Sequence, residues 1–544
     1  MDRLEPLDAL FVEAEDEDEN TSMAIASIAV LEGPAPSQEE VLALVADRLP
    51  LVPRYRQKLR TVPFRLGRPV WVDDTNFDLT YHIRRTALPR PGGDEQLAAL
   101  MARVMSGRLD RDHPLWEYWV VEGLAGDRWA MISKVHHCMV DGIGGADLYR
   151  VLTEVPTEFG PPAADTEAEA AQPPSGVSLI KDAAVDMVQL PGRYARALGN
   201  AVGEPGRTIK GAAGAWRALA RFSPSVRPAV ESSLSGNIGK QRRYTWARTS
   251  LEDIKTIKRE FGGTVNDVVL AAISSGFRAL LLERGEEPRP HEVPSLVPVS
   301  VRARGDEASL GNQVSATVAD LPVHIPDAVE RLAAVRTELD SLKASNEAVI
   351  GQALATLGRY SPYLLASWWV RLAFWLPQHE IVTVTTNVPG PREPLYWMGH
   401  KLEEIIPYVP IASTVRVGIS IFSYGDNVTF GLTGDYAANP DLDVLAAGIE
   451  AGISELLLAA GQHKAAAAAD GDEAQPASEE AGPEIPAAEA AEVPAAEVPA
   501  RKATARAGTA HKGTAGKGKA RTGTTGKGKA NTTGKGKARK ETHA

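Results

Sequence analysis

Cysteine is almost missing from this chain. Cys138 is the only one in 544 residues, which excludes an intramolecular disulfide and fits a reducing compartment. It follows His137, but successive strand residues point to opposite faces, so the two do not read as a Cys–His nucleophile; Cys138 reads as a small packing residue. Residues 1–20 (MDRLEPLDALFVEAEDEDEN) carry acids where a signal peptide would carry lysines and hold no long apolar run, so no secretion signal is expected. The longest strongly apolar, aromatic stretch, residues 363–376 (YLLASWWVRLAFWL), falls short of the ~20 residues that span a bilayer and includes Arg371, so no transmembrane helix is expected. The zinc spacings HxxxH and HExxH are absent, as are the usual nucleophile motifs, so neither a metal site nor an acyl-enzyme is expected.

What is there is a globular composition, 44% apolar, in a chain larger than one ordinary core: two domains with accessory segments. Its centre is residues 134–148, KVHHCMVDGIGGADL. The preceding RWAMISKV is rich in β-formers, and Gly142, Gly144 and Gly145 give the backbone room to turn into a helix. A reactive side chain is well placed at such a corner. His137 suits a general base, because a neutral imidazole takes a proton from a hydroxyl or amine and returns it to a leaving group. Asp141 sits where a short turn lets it brace the segment, against the imidazole or against an arginine behind it. A bare HxxxD is expected by chance about once in such a chain, whereas the whole HHxxxDG is far rarer.

In chain order, residues 1–156 read as a first α/β domain, with a helix over 39–47, strands over 69–83 and a helix over 94–105. His82 reads as an ordinary strand histidine. The block RLDRDHPLWEYWVVEGL at 108–124 follows, with Pro114, Leu115 and Trp116 as a turn that anchors a core strand. Residues 157–243 read as a proline-punctuated linker and then a basic, amphipathic connector. That connector suits an anionic membrane surface or, equally, a solvated helix across two domains. Residues 244–462 read as the second domain: a strand at YTWARTS, a helix over 251–260, and a core helix in GGTVNDVVLAAISSGFRALLLERG capped by Thr264. Asn266 lies in its first turn, where an amide and free N–H groups can donate to a developing oxyanion. More sheet is expected at 296–302, 381–390 (IVTVTTNVPG), 405–411 and 415–424, and a closing helix over 441–458.

Residues 463–544 change character. Residues 465–500 hold acids, alanines and prolines without a basic residue; residues 501–544 hold 13 Lys/Arg against one Glu, +12, so the remainder carries −11 − 12 = −23. Such a tail cannot offset the entropy of folding and is expected to be a disordered polyelectrolyte. Its lysines suit polyanions, and without aromatics to stack, base-specific nucleic-acid recognition is not expected.

HHCMVDG resembles the HHxxxDG motif of the CoA-dependent acyltransferase superfamily. The PLW block, the Asn266-Asp267 pair and the 296–302 and 381–390 stretches, in that order, are similar to blocks of the bacterial wax ester synthase/diacylglycerol acyltransferase family over about residues 4–458. The resemblance implies an α/β fold of two chloramphenicol acetyltransferase-like domains with an active-site channel between them. It implies transfer of a long-chain acyl group from acyl-CoA, a substrate rather than a cofactor, to diacylglycerol or a fatty alcohol by direct attack in a ternary complex. It makes His137 the base and gives His136 a supporting role. Gly142 would permit close approach, Asn266 would polarise the carbonyl, and Pro114, Leu115, Trp116 and Asp267 would lie against substrate. Arg302 would pair with Asp141 as a structural brace. A cytoplasmic protein at the inner membrane face or on lipid droplets is expected. Two other readings stand beside it: condensation-type transfer to an amine or another hydroxyl, and a non-catalytic protein that binds lipid surfaces or polyanions.

Overall fold

The computed structural model describes residues 2–139, 232–300, 314–344 and 381–473, with single positions at 178, 181 and 185. In the N-terminal half these are helix α1 (Pro6–Glu17), strand β1 (Ala24–Glu32), α2 (Gln38–Arg48), β2 (Gln57–Arg60), β3 (Val70–Asp73), α3 (Leu79–His82), β4 (Ile83–Ala87), α4 (Asp94–Ser106), β5 (Trp116–Leu124) and β6 (Arg128–His136). The C-terminal half supplies β7 (Arg242–Ser250), α5 (Leu251–Phe261), α6 (Val265–Glu283), β8 (Val293–Ser300), β9 (Val314–Leu321), α7 (Ala328–Ala344), β10 (Thr383–Pro389), β11 (Tyr396–Trp397), β12 (His400–Tyr408), β13 (Val417–Tyr424), β14 (Asn427–Asp435) and α8 (Leu442–Glu473).

Two six-stranded sheets result, in the orders β11-β12-β1-β6-β5-β4 and β7-β14-β13-β10-β8-β9. The first is antiparallel except for the parallel β4–β5 pair; in the second β10 runs parallel to both β8 and β13. The mixed α/β class expected from the sequence is what forms. The cut between halves is less clean than the expected boundary near residue 244, because β12 leaves the second half and pairs with β1, Ile28 facing Ile406. Residues 1–475 accordingly form one compact unit. Residues 69–83 also differ from the expected strands: β3 covers only 70–73 and β4 begins at Ile83, since between them the Asp78 carboxylate accepts the Thr80 N–H and starts the turn of helix α3.

The first core lies on β1, β5 and β6, where Ile28, Val120, Val121 and Ile132 are fully buried. Lys134 is buried on the same strand, and its ammonium donates to the Val104 and Gly107 carbonyls at 2.9 and 2.6 Å, satisfying the end of α4. The second core is built on α6. Thr264 and Asp267 form a capping box at its start, and Val268, Leu270, Ile273 and Phe277 are fully buried. Helix α8 crosses α6 on glycines: a Cβ at Gly276 would stand 2.7 Å from the Leu445 carbonyl, and one at Gly448 2.8 Å from the Cα of Gly276. Both helices are long and apolar enough to cross a membrane by length and composition, unlike residues 363–376. Here they pack on each other, α6 as the buried helix of the core.

Candidate active site

Strand β6 delivers His136, and a 3-10 turn, His137–Met139, follows. The strand lies between β1 and β5, and both neighbours fix its end: the His136 N–H donates to the Leu115 carbonyl and the His137 N–H to the Met23 carbonyl, each at 2.9 Å. Leu115 and Trp116 are 1% exposed, and the Trp116 indole N–H donates to the Tyr55 carbonyl at 2.8 Å. Pro114 is buried with them, so the PLW block serves the site by holding the histidine strand in register.

His136 is 1% exposed. Its Nδ1 accepts the Cys138 N–H at 3.1 Å, which leaves the ring proton on Nε2, facing Glu15 Oε1 at 3.4 Å. That contact is an ion-pair distance with geometry too oblique for an aligned hydrogen bond. Glu15 comes from α1 and is itself buried. It accepts the Met23 N–H at 2.6 Å and an Arg111 N–H at 3.1 Å; Arg111 continues to Asp16 at 2.5 Å. Burial alone would raise the Glu15 carboxyl, but His136, the Met23 N–H and Arg111 together outweigh it and hold it at about 2.

The His137 ring stacks on Phe11 of α1, centroids 4.0 Å apart. Burial first, and then the neighbouring His136, lower its pKa to about 4, against a small opposing pull from its own carbonyl. The imidazole is therefore neutral throughout the physiological range, with a lone pair available for a proton. Cys138 is 4% exposed, and burial, with Asp8 and Glu15 nearby, pushes its thiol well above the usual range. A protonated, enclosed thiol is no nucleophile, in keeping with a packing residue. His82 is fully buried, ends α3 rather than sitting in a strand, and lies between Trp116 and Phe77 with Nδ1 on the Trp116 carbonyl at 2.8 Å.

In the second half, the Asp267 carboxylate accepts the Thr264 N–H at 2.6 Å while the Thr264 hydroxyl accepts the Asp267 N–H at 3.2 Å. Asp267 is 3% exposed, and its carboxylate closes the capping box of α6. Half-buried Asn266 follows the cap, and its Oδ1 accepts an N–H of Asn387 at 3.4 Å. Asn387 stands at the exposed end of β10. An Oδ1 used as an acceptor leaves the Asn266 NH2 as a donor for another group. No hydrogen bond joins Asn266 to the histidine turn among the described residues. Asp141, Gly142 and Arg302 lie outside the described residues, as do 363–376 and most of the basic connector. Among the described residues no cluster of three or more His, Cys, Asp or Glu side chains could hold a metal ion.

Glu15, Phe11 and Arg111 went unnoticed as site residues. A signal was present: Asp8, Phe11, Val12 and Glu15 recur at helical spacing, so acids share the apolar face of α1, where a carboxylate needs a partner.

Residues 4–269 match the family model described as the wax ester synthase/diacylglycerol acyltransferase catalytic domain, and residues 310–457 the WS/DGAT C-terminal domain. The chain belongs to this family. It is a WS/DGAT acyltransferase, which sets aside the amine-condensing and non-catalytic readings. It is 39% identical over 457 residues to "Probable diacyglycerol O-acyltransferase tgs1" of Mycobacterium tuberculosis, covering 84% of this chain and 96% of that one. A second mycobacterial protein of the same printed activity, tgs2, is 31% identical over 85% of this chain and 100% of its own length. The WS/DGAT structure from Marinobacter aquaeolei VT8 aligns with a TM-score of 0.58 at 27% identity, covering 85% of this chain and 100% of that one. A starter condensation domain of rhizomide synthetase shares the fold, with a TM-score of 0.50 at 15% identity over 85% of this chain and 94% of that domain.

Proposed function

We propose that this WS/DGAT protein transfers a long-chain acyl group from acyl-CoA to the free hydroxyl of diacylglycerol, giving triacylglycerol, and to a fatty alcohol where one is supplied, giving wax ester. His137 takes the hydroxyl proton as the oxygen attacks the thioester carbonyl. The C–S bond then breaks, and the imidazolium returns the proton to the departing CoA sulfur. Attack is direct, in a ternary complex in a channel between the two halves. Acyl-CoA enters as a substrate, and the reaction calls for no other cofactor or metal.

The observation that carries the reading is the state of His137: neutral, largely desolvated, and held just past the end of β6 by its own N–H on the Met23 carbonyl and by that of His136 on the Leu115 carbonyl. A base that must neither wander nor arrive protonated is built this way. His136 keeps the turn in place through Glu15. Asn266, oriented by Asn387, donates to the carbonyl oxygen as it gains charge, and Asn266→Ala is expected to slow turnover about a hundredfold or more. Asp141 pairs with Arg302 behind the turn and Gly142 lets substrate approach; a double-mutant cycle on Asp141 and Arg302 that shows no coupling overturns that pairing. Apolar substrates place the protein at the inner membrane face or on droplets, with the basic tail as a contact for polyanions of no particular sequence.

The test is to incubate full-length protein and His137→Ala with radiolabelled palmitoyl-CoA, diolein and hexadecanol in parallel, resolving neutral lipids and following free thiol. Matched ester formation and CoA release by the wild type alone supports the reading, and the product ratio gives the acceptor preference. Ester formation by the variant at wild-type rate overturns His137 as the base.

A further inference from the structure

Helix α1 brings one ring to the histidine turn, that of half-buried Phe11. It lies over the face of the His137 imidazole, centroids 4.0 Å apart and planes 29° from parallel. The helix that carries it is tied down. Ala9 and Val12 are 1% and 2% exposed, and the Val12 carbonyl accepts an Arg111 N–H at 3.2 Å. One turn further on, Glu15 accepts the Met23 N–H and another N–H of Arg111. Phe11 is therefore held over His137 by its own backbone and not by the stacking contact alone.

The surroundings of His137 favour a neutral ring and oppose a charged one. Burial lowers its pKa from 6.5 to about 4, and His136 pushes the same way. A general base must nevertheless hold a proton between the attack of the hydroxyl and the departure of the CoA sulfur, so a cation forms where a cation is costly. Glu15 does not meet that need, because it faces His136 and is shared with the Met23 N–H and Arg111. Asp8 on α1 is buried and bears, with Glu15 and Arg111, on the Cys138 thiol. Among the described residues, the charge that bears on His137 is that of His136, which opposes a proton there. What the imidazole does meet is the face of Phe11, where the π electrons put negative partial charge.

We infer that Phe11 is a positioning residue of the transfer reaction, its ring face stabilising the imidazolium that His137 becomes while it carries the hydroxyl proton. A cation within about 6 Å of a ring centroid is attracted to the face, most strongly where water is excluded. A neutral imidazole gains less from the same ring, so the contact strengthens as the proton arrives. It therefore acts on the transition state and not on substrate binding. Phe11 forms no bond and moves no proton; it acts through His137. The inference rests on the proposed role of His137 as the base.

The test places a trifluorinated phenylalanine at position 11 of the full chain, which nearly keeps the size of the ring and draws charge from its face. With palmitoyl-CoA and diolein, kcat is expected to fall about tenfold at unchanged KM. The His137 pKa, read from histidine Cε1 resonances assigned with His137→Ala, is expected to fall below that of the unfluorinated chain. Phe11→Leu is expected to act in the same direction on both. Were the ring only a cover, its loss would admit water and raise that pKa toward 6.5. Wild-type kcat in the fluorinated chain overturns the inference, as does a fall in kcat with the pKa unmoved, or a raised pKa in Phe11→Leu. The two readings fail separately. An inactive His137→Ala beside a fluorinated chain at wild-type rate removes Phe11 and leaves the base, whereas His137→Ala at wild-type rate removes the base and the inference with it.

Discussion

The histidine turn and the start of α6 are the two regions where chemistry-bearing residues gather, and they are built in opposite ways. His136 and His137 depend on Phe11, Glu15, Met23, Arg111 and Leu115, drawn from three stretches of chain, all of them buried or half-buried. Asn266 depends on a box closed within four residues, Thr264 to Asp267, and on one distant contact, Asn387, at an exposed strand end. The first region fixes a base by surrounding it. The second leaves an amide at a helix end and orients it with a single partner.

That contrast can be broken experimentally. The largest effect is expected from His137→Ala, a loss of about 10²–10⁴ in kcat at unchanged melting temperature; activity within tenfold of wild type would remove the base from the surrounded region. Glu15→Gln comes next, because it strips the carboxylate from behind His136. The sign follows from the direction of the shift. A carboxyl lowered from 4.5 to about 2 stabilises the fold fully above pH 4.5 and loses that contribution as pH falls toward 2. The variant is expected to be less stable near neutrality by up to about 3 kcal/mol, and its stability to fall less steeply between those pH values, as urea titrations at several pH values would show. His137, lowered from 6.5 to about 4, works in the same sense: its contribution is complete above 6.5 and is lost on acidification through 4. The acid limb of kcat/KM is accordingly expected well below pH 6.5, and a limb at 6.5 would mean an imidazole in contact with water.

On the other side, Asn387→Ala is expected to cost about tenfold in kcat, with little change in KM, and to add nothing once Asn266 is alanine. Full additivity would separate the two asparagines. Thr264→Ala is expected to have the smallest consequence, about 1 kcal/mol of stability from the lost cap, read by urea midpoint, with activity near wild type.

The same contrast decided what could be read in advance. The Thr264 cap, the apolar period of α6 and the β-rich run into His136 are local patterns, and the structure has them where the sequence put them. Glu15 was passed over as one acid among many in an acidic segment, because its meaning lies in a histidine 121 positions away. Asp267 belonged to a recognised block, yet its carboxylate is turned back to its own helix. Residues 69–83 carried β-formers, and one Asp78 side chain was enough to start a turn of helix among them.

By itself the sequence determined the class of fold, the family, and which residue types stand at the corner after β6, since periodicity, caps and the HHxxxDG spacing are set by neighbours along the chain. Only the tertiary structure decided that β12 would cross into the first sheet, that α6 and α8 would close on each other at glycines, and that His137 would be neutral with Glu15 behind its neighbour. Desolvation and long-range charge pairing depend on distances through space, which spacing along a chain does not fix.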